Sequence, residues 1–518
     1  MSDMDTAYFI GIDAGTSSIK AVLVDLCGNE VGVVETPTEV RSGLDGTSEM
    51  DMEVLWQKCR NVLRALSEQY DLQAVQGIGV AGQGEGLWLL DAQNQPLMPA
   101  ILWNDSRAAA VTESWCTDTA LAADIRATTG SVPFNGATLV LLGWLKKHQP
   151  ETLARIGTLF WCKDWLRYRL TGSLGTDYSD ASTSLLDLRC KSWAQGLFSK
   201  LELGEIETCL PELMGSTNIA GYTTQAVAEE TGLAAGIPVV TGAIDIVATA
   251  FGAGARVPGD VCTILGTTCC NEIIVPTFMP DEGATSGYEC FSPGDNYIHV
   301  TAAMAGTPNI EWVIRGLLTD EERRYADIYH YIEEHIEGAE INIGGVIYHP
   351  YIHASGERAP FAHPGAKAQF FGINENTSRW DLIRAVYEGV AFSIVDCLGE
   401  GDGDIYLCGG GASSALWSQI IADVTGRNIY VSAGKEVCAR GVALYALLAL
   451  TDNDLSMEVH PAYRIFTSDT QRHVMYRDVY QLYRDIRRNL ADCWKQHQKL
   501  QQQRQYGRKK EHEEESYV

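Results

Sequence analysis

Residues 8–25 read YFIGIDAGTSSIKAVLVD. Apolar, β-forming residues fill 8–13 and 19–25, and small or hydroxyl-bearing residues fill the segment 14–18 between them. This pattern predicts two strands joined by a tight turn. Another turn follows at 27–30, so we expect the chain to open as a β-meander.

The same arrangement returns about half a chain later. Residues 260–265 predict a strand, Gly266-Thr-Thr268 a turn, and 269–275 the return strand. Two such hairpins at matching positions predict two related lobes, with the glycine-rich segment 252–259 as the junction. Chance similarity between two Gly-Thr turns is the alternative explanation.

Other segments predict helices and a polar tail. Helix-spaced apolar residues predict helices at 54–70 and 380–398. The turn Gly409-Gly-Gly411 leads from a predicted strand into a helix at 415–424. Its exposed N–H groups suit an anion or polar ligand, although a routine strand-to-helix turn is the other interpretation. From residue 491 onward the composition predicts a solvated, partly disordered tail.

Composition narrows the class of protein. The chain has 518 residues, enough for two or more domains, and a net charge of −28, which disfavours nucleic acid as a partner. None of its 14 cysteines forms a Cys-x-x-Cys motif, so a zinc ribbon is not indicated. The acidic residues 1–5 contain no signal-peptide core, and the apolar run 442–450 is too short to span a bilayer. We therefore expect a cytoplasmic protein without a membrane partner.

Candidate catalytic groups are acids beside small-residue turns. The chain has no P-loop, dinucleotide fingerprint, zinc-protease motif or hydrolase elbow. Asp13 ends an apolar strand, and Asp245 lies inside the apolar run 240–249, where an unpaired acid is costly to bury. Asp245 either caps a helix that starts near Ile246 or carries chemistry. Paired Gly-Thr hairpins, carboxylates for a metal and a further carboxylate base would together meet the needs of phosphoryl transfer.

These features accompany a wider set of motifs across residues 7–452. In chain order they are Gly11-Ile-Asp-Ala-Gly-Thr-Ser17, Gln83-Gly-Glu85-Gly86, Trp103-Asn-Asp105-Ser-Arg107, Lys163-Asp-Trp-Leu-Arg-Tyr-Arg-Leu-Thr-Gly172, Asp177-Tyr-Ser-Asp-Ala-Ser182, Asp245, Gly266-Thr-Thr268, Tyr387-Glu-Gly389 and Gly409-Gly-Gly411. In identity, order and spacing they resemble the FGGY family of carbohydrate kinases.

The resemblance implies the overall architecture. It implies an α/β, two-lobed actin-like (ribonuclease H-like) ATPase fold, with a nucleotide cleft between lobes that close around the sugar. Residues 1–253 would form the lobe that binds sugar and carries the base, and 254–455 the nucleotide-binding lobe. Residues 456–518 would form a C-terminal helix and the polar tail.

The resemblance also assigns roles to individual residues. Asp245 matches the catalytic aspartate, which also contacts the substrate and the metal, and Asp13 matches the acid that positions the hydrated metal. ATP and Mg²⁺ are the implied cofactors. Residues expected to bind the nucleotide are Gly15, Thr16 and Ser17 in the first hairpin, Gly266 and Thr267 in the second, and Gly410 and Gly411 under the adenosine. Those expected to bind the sugar are Gln83, Glu85, Asp105 and Asp245.

The substrate is expected to be a small sugar or polyol. Glycerol kinases carry an arginine where this chain has Gly84 and a glutamine where it has Ile246, and D-xylulose kinases carry Met-His in place of Gly84-Glu85. The motifs are more similar to erythritol kinases and L-xylulose kinases. A kinase for another pentulose, pentitol or signal sugar, a non-kinase actin-like ATPase and a catalytically weak sugar sensor are the alternatives. The oligomeric state, a homodimer included, is left open.

Overall fold

The predicted opening meander forms in the computed structural model, which describes residues 7–280, 286–337, 343, 345–451 and 462–515, the side chains of 504–515 excepted. Strands β1 (Tyr8–Ala14), β2 (Ser18–Asp25) and β3 (Glu30–Pro37) run antiparallel in sequence. The N–H of Gly15 donates to the carbonyl of Ser18 at 3.0 Å and closes the first turn. The prediction from residues 8–25 is confirmed.

The remaining strands follow in chain order: β4 (Val40–Ser42), β5 (Ser48–Met50), β6 (Val75–Gly82), β7 (Trp88–Leu90), β8 (Ala100–Ile101), β9 (Thr158–Phe160), β10 (Thr176–Asp177), β11 (Leu186–Asp187), β12 (Ser192–Trp193), β13 (Leu213–Met214), β14 (Ile219–Tyr222), β15 (Pro238–Val240), β16 (Ala243–Ile244), β17 (Val261–Leu265), β18 (Cys269–Val275), β19 (Gly287–Phe291), β20 (Asn296–Ala303), β21 (Ile347–His349), β22 (Gln369–Phe371), β23 (Ile405–Cys408), β24 (Ile429–Ser432) and β25 (Tyr463–Phe466).

The α-helices follow in chain order: α1 (Met52–Ser67), α2 (Ala109–Thr117), α3 (Thr119–Thr129), α4 (Thr138–His148), α5 (Pro150–Leu153), α6 (Cys162–Thr171), α7 (Tyr178–Ser182), α8 (Gln195–Lys200), α9 (Gln225–Thr231), α10 (Asp245–Ala253), α11 (Pro308–Leu317), α12 (Ile328–Glu337), α13 (Arg379–Leu398), α14 (Ala415–Thr425), α15 (Val437–Ala449) and α16 (Thr470–Glu515). Short 3₁₀ helices span Leu72–Ala74, Gly204–Cys209, Glu322–Arg324 and Gly410–Ser413.

Two compact units divide the chain. The first comprises residues 1–262, 272–300 and 432–463, and the second comprises 263–271, 301–431 and 464–518. The predicted lobe boundaries at 253/254 and 455/456 stay a prediction, since the units follow spatial packing rather than continuous sequence.

The first unit is built on a seven-stranded sheet. Its order is β14-β15-β6-β1-β2-β3, with β16 paired beside β6, and β1 and β6 are parallel. Helix α15 packs directly on β1 and β6. A Cβ on Gly11 would lie 1.7 Å from the carbonyl oxygen of Ala439, and one on Gly79 would lie 2.0 Å from that of Val442. Glycine at these two strand positions therefore lets the helix backbone touch the sheet.

Helix α10 is held against α15 in the same way. A Cβ on Gly441 would lie 2.0 Å from the carbonyl oxygen of Ala248, and one on Gly252 would lie 2.0 Å from that of Val437. The fully buried Arg440 donates from its guanidinium to the carbonyl of Gly252 at 2.9 and 3.0 Å. This close packing holds α10, whose first residue is Asp245, against α15.

The second sheet has the order β19-β20-β18-β17-β23-β24-β25. The predicted second hairpin is present as β17 and β18, joined at Gly266-Thr-Thr268, and the N–H of Gly266 donates to the carbonyl of Thr268 at 2.9 Å. The helices predicted at 54–70, 380–398 and 415–424 are confirmed as α1, α13 and α14, within two or three residues at their ends.

The last helix, α16, extends through most of the segment for which the sequence predicts a partly disordered tail. Glutamine, lysine, arginine and glutamate are strong helix formers, so a polar composition does not by itself exclude a helix. The predicted disorder of the tail stays a prediction. Residues 1–5, 456–461 and 516–518, on which the N-terminal and tail predictions partly fall, lie outside the described residues. Among the described helices, none combines the length and the apolar character that crossing a bilayer requires.

Candidate active site

Two aspartates of the first unit lie on either side of the end of β6. Asp13 is near the end of β1, and Asp245 is the first residue of α10. Burial raises the pKa of Asp13 to about 6. Burial, and then the charge of Asp13, raises the pKa of Asp245 to about 7. An acid with a pKa near 7 is suited to take and release a proton at neutral pH.

The capping interpretation of Asp245 is met in part. Its Oδ1 accepts a hydrogen bond from the backbone N–H of Ile246 at 2.8 Å, although the N-cap residue of the helix is Ile244. The same carboxylate thus satisfies one backbone N–H at the start of α10 and is influenced by the charge of Asp13. The two interpretations are compatible, and the catalytic role stays a prediction.

The first hairpin turn carries hydroxyl groups and is followed by a lysine. The hydroxyl of Thr16 donates to Oε1 of Gln83 at 2.8 Å and accepts from Nε1 of Trp103 at 3.0 Å. Ser17 is exposed at the turn, next to Gly15. The hairpin thus presents an exposed hydroxyl and is tied to the loop that contains Gln83.

Lys20 is a residue that the sequence reasoning missed. It lies opposite Asp13 in the β1–β2 register, and its Nζ is 2.7 Å from Oε2 of Glu436. Although burial acts to lower it, the pKa of Lys20 is raised by the hydrogen bond and charge of Glu436. A lysine in an otherwise apolar strand, directly across the hairpin from an acid, was the signal available in the sequence.

The predicted sugar-binding loop contains two buried polar side chains. Gln83 is 3% exposed, and its Nε2 has no hydrogen-bond partner among the described residues. Glu85 is buried with a φ of 58°, and its Oε2 accepts from the N–H of Thr138 at 2.7 Å and from the hydroxyl of Ser184 at 2.9 Å. Burial raises the pKa of Glu85 despite these bonds. Its burial shows that Glu85 is not simply a solvated loop acid.

Asp105 is held by protein groups. Its carboxylate accepts from the N–H of Ser48 at 2.7 Å and from the backbone N–H and the guanidinium of Arg107 at 2.8–2.9 Å. Arg107 also donates to Glu49 at 2.7 Å. These contacts support a role in fixing the loop that carries Trp103, and the predicted contact of Asp105 with the sugar stays a prediction.

A buried ionic cluster packs against the Gln83–Gly86 loop. Nζ of Lys163 lies 2.7, 3.0 and 3.1 Å from the carboxylates of Asp164, Asp177 and Asp180, and all four side chains are fully buried. Burial raises the pKa of Asp180 well above its usual value, although Lys163 opposes this effect. Asp180 Oδ1 would lie 3.5 Å from a Cβ on Gly84. The cluster thus lies against the Gln83–Gly86 loop. The motifs Lys163–Gly172 and Asp177–Ser182 supply its buried charges.

The second unit contains a cavity of about 630 Å³. Its lining includes Gly410 and Gly411, together with Ile310, Tyr387 and Trp417. The predicted contact of the two glycines with adenosine stays a prediction. Backbone N–H groups at the start of a helix beside apolar and aromatic walls suit a heterocycle with a polar rim.

The second hairpin is connected to this cavity through Thr307. The N–H of Thr307, a residue of the cavity wall, donates to the carbonyl of Gly266 at 2.8 Å. A Cβ on Gly306 would lie 2.3 Å from the same oxygen, so the two segments touch through backbone atoms. The turn that contains Gly266 and Thr267 therefore lies directly against the segment that forms part of the cavity wall.

The residues present fit a hydrated magnesium ion rather than a protein cage. Among the described residues, no group of three or more histidine, cysteine, aspartate or glutamate side chains is arranged to hold a metal. Asp13 and Asp245 provide a pair of carboxylates. Mg²⁺ in phosphoryl-transfer sites keeps several waters and needs only one or two carboxylates in addition to phosphate oxygens.

Comparison with known proteins agrees with this arrangement. The chain is 31% identical to the L-xylulose/3-keto-L-gulonate kinase of Escherichia coli (strain K12), over 93% of this chain and 97% of that protein. It is 30% identical to the erythritol kinase of Brucella abortus (strain 2308), over 94% and 96%. A crystal structure described as a xyloylose kinase from Brucella ovis is 29% identical, covers 93% of this chain and 99% of its own, and superposes with a TM-score of 0.82.

Family domains cover both halves of the chain. Residues 8–252 match the N-terminal domain of the FGGY family of carbohydrate kinases, and residues 261–450 match its C-terminal domain. The predicted two-lobed, actin-like α/β fold is confirmed by these matches and by the structural likeness. This chain belongs to the FGGY family of carbohydrate kinases.

Proposed function

We propose that this carbohydrate kinase transfers the γ-phosphoryl group of ATP to a terminal hydroxyl of a four- or five-carbon polyol or ketose. Asp245 is the general base in this proposal. The observation that carries it is the position of Asp245 at the start of α10, partly buried beside Asp13, with a pKa raised to about 7.

The acceptor hydroxyl binds in the first unit. Asp245 accepts its proton as the oxygen attacks phosphorus, and the carboxylate is regenerated when that proton passes to solvent. The Nε2 of Gln83 supplies a hydrogen-bond donor that no described protein group satisfies. Glu85 and the glycines of the Gln83–Gly86 loop form the rest of the proposed sugar-binding surface in this unit.

The phosphates bind to the turns of the two hairpins. Gly15, Thr16 and Ser17 provide N–H and hydroxyl donors in the first unit, and Lys20 adds a positive charge. Gly266 and Thr267 provide the corresponding donors in the second. Asp13 and Asp245 would hold Mg²⁺ mainly through its water ligands. Bound Mg²⁺ offsets the charge of the phosphate oxygens during transfer.

The adenosine binds in the cavity of the second unit. The N–H groups that follow Gly410 face its polar atoms, and Trp417 and Ile310 provide apolar contact. This assignment rests on the size of the cavity and on the turn at its base.

The substrate class follows from the Gln83–Gly86 loop and the named relatives. Kinases named for L-xylulose and for erythritol both lie near 30% identity over almost the whole chain. A buried glutamine and a buried glutamate suit a ligand that carries several adjacent hydroxyl groups. Cytoplasmic location and a homodimeric state stay predictions.

A coupled ADP-release screen over tetritols, pentitols and pentuloses tests the proposal. We expect ADP release that depends on one or a few of these acceptors. Asp245→Asn should keep the fold, since an amide oxygen can still accept the N–H of Ile246, but should lose roughly 10²–10⁴-fold in kcat. Acceptor-independent ADP release, or an Asn variant that retains more than about a third of wild-type kcat, would show that the assignment is wrong.

A further inference from the structure

Glu289 is influenced by the charges of Asp245 and Glu85, two residues of the proposed sugar site, and takes no part in the mechanism above. It is in the middle of β19, in the first unit, and pairs with Ile298 of β20. Its neighbours Tyr288 and Cys290 point into the hydrophobic core. Because side chains alternate along a strand, Glu289 points to the opposite face.

A chain of contacts connects β19 to the base. The N–H of Cys290 donates to the hydroxyl of Ser182 in α7 at 2.9 Å. Asp180 of the same short helix stands 3.5 Å from the Cβ position of Gly84, and that position is 2.1 Å from Cδ1 of Ile244, the residue before Asp245. Strand β19, helix α7, the Gln83–Gly86 loop and the start of α10 therefore meet at one place.

The carboxyl of Glu289 is within electrostatic range of Asp245, Asp180 and Glu85, and one of its oxygens is unsatisfied. Its Oε2 is buried and has no hydrogen-bond partner among the described residues. Burial, and then the charges of Asp245, Asp180 and Glu85, raises the pKa of Glu289 well above its usual value. A buried polar atom without a partner costs free energy unless a ligand or water satisfies it.

The surrounding charge also determines what kind of group can bind. Glu85, Asp180 and Asp245 are acids, and Lys163 is already shared among three carboxylates. A carboxylate on the substrate would have to lose its water beside these acids, where Lys163 is already paired, and burying an unpaired charge is costly whether or not the acids are ionised. A neutral hydroxyl can donate to a carboxylate and accept from a carboxylic acid, so it meets no such barrier.

We propose that Glu289 is a specificity-determining residue that hydrogen-bonds a hydroxyl of the acceptor, and that this acid-lined wall restricts the kinase to neutral polyols and ketoses and excludes sugar acids. This inference rests on the proposed function. It adds the substrate class and a residue, Glu289, that would recognise the substrate. One relative is named for both L-xylulose, a neutral ketose, and 3-keto-L-gulonate, a sugar acid, so the exclusion of sugar acids would distinguish this chain from that relative.

The test compares Glu289→Gln, Glu289→Leu and Glu289→Ala. Gln keeps a donor and an acceptor in the same shape, whereas Leu and Ala remove both. For the best neutral acceptor, we expect KM to rise roughly tenfold or more in the Leu and Ala variants and to change less than about threefold in the Gln variant. The KM for ATP should stay near the wild-type value in all three. Two truncating variants keep the test decisive if one of them fails to fold.

Asp295→Asn is the matched control. Asp295 lies in the turn of the same β19–β20 hairpin, and its side chain is 95% exposed. This variant should match the wild-type protein in both KM values. The wild-type protein should also use aldonates and keto-aldonates at least roughly a hundredfold less efficiently than the best neutral acceptor.

The outcomes separate this inference from the proposed function. Phosphorylation of a ketose or polyol with an unchanged KM in folded Leu and Ala variants would overturn the role of Glu289 alone. A wild-type preference for sugar acids would overturn the exclusion. If no neutral or acidic acceptor gave ADP release, the proposed function itself would be overturned, and the inference with it.

Discussion

Asp245 titrates in the range where a kinase works, because burial and Asp13 both disfavour its ionised form. A base must be deprotonated to act, so kcat/KM should fall as the pH decreases below about 7, by roughly tenfold per unit. Replacing Asp13 with asparagine removes the neighbouring charge and should shift the acidic limb of the kcat/KM profile to lower pH. Turnover will also decrease. Measuring kcat/KM against pH for both proteins checks this. A profile that is flat through mildly acidic pH would contradict the assigned base.

Glu85 has a structural contact with Thr138 and a proposed role in sugar binding, and two substitutions can separate them. Its Oε2 satisfies the first N–H of α4, so Glu85→Ala should lower the melting temperature as well as weaken sugar binding. Glu85→Gln retains an oxygen for that N–H, so it should melt near the wild-type temperature. In Glu85→Ala we expect KM for the sugar to rise roughly tenfold or more, with KM for ATP nearly unchanged. Unaltered sugar KM in the Ala variant would mean that the loop serves stability alone.

At the level of elements, the glycine contacts between α10 and α15 position the base. Gly441→Ala would place a methyl group 2.0 Å from a carbonyl oxygen, and only movement of a helix can relieve that overlap. We expect a loss of about 1–3 kcal/mol in the free energy of unfolding, together with reduced kcat, because α10 carries Asp245. Chemical denaturation and steady-state kinetics measure both effects.

Gly196→Ala is the matched control for this prediction. Gly196 lies in helix α8, is exposed, and has no atom within 4 Å of its Cβ position. Alanine at this site should stabilise the protein by about 0.5–1 kcal/mol and leave kcat unchanged. Equal effects at the two sites would show that the contact between α10 and α15 does not determine the position of the base.

The elements also show what the sequence can and cannot predict. Both hairpins and helices α1, α13 and α14 follow from local patterns of apolar residues and turns. Asp13 and Asp245 could be identified because an acid in an apolar run is unusual. Lys20 was missed although its position across the hairpin from Asp13 was a signal, and Lys163 was seen only as part of a motif. The contacts of Lys163 and the surroundings of Glu289 could not be predicted, since they depend on residues that are distant in sequence and meet only through the fold.

At the level of the whole molecule, the two units should be separable by mutation. A Cβ on Gly410 meets no atom within 4 Å, and this residue lines the cavity of the second unit. Gly410→Val should therefore fill part of the proposed adenosine pocket and raise KM for ATP roughly tenfold or more. Sugar affinity, measured by calorimetry without nucleotide, should stay unchanged.

Gly204→Val provides the comparison. Gly204 also begins a 3₁₀ helix and also has open space at its Cβ position, but it belongs to the first unit and lines no described cavity. This variant should have the wild-type KM for ATP. A loss of sugar affinity in Gly410→Val, with ATP kinetics intact, would contradict the assignment of the cavity to the nucleotide.

The packing of α15 on β1 and β6 has a consequence for biosynthesis. Residues 8–82 are synthesised early. The helix that covers them spans Val437–Ala449 and is synthesised hundreds of residues later. Until then, one face of the first sheet lacks its apolar partner, and such surfaces aggregate or recruit chaperones. The nascent chain therefore cannot complete the framework around Asp13 and Asp245 until Val437–Ala449 has been synthesised.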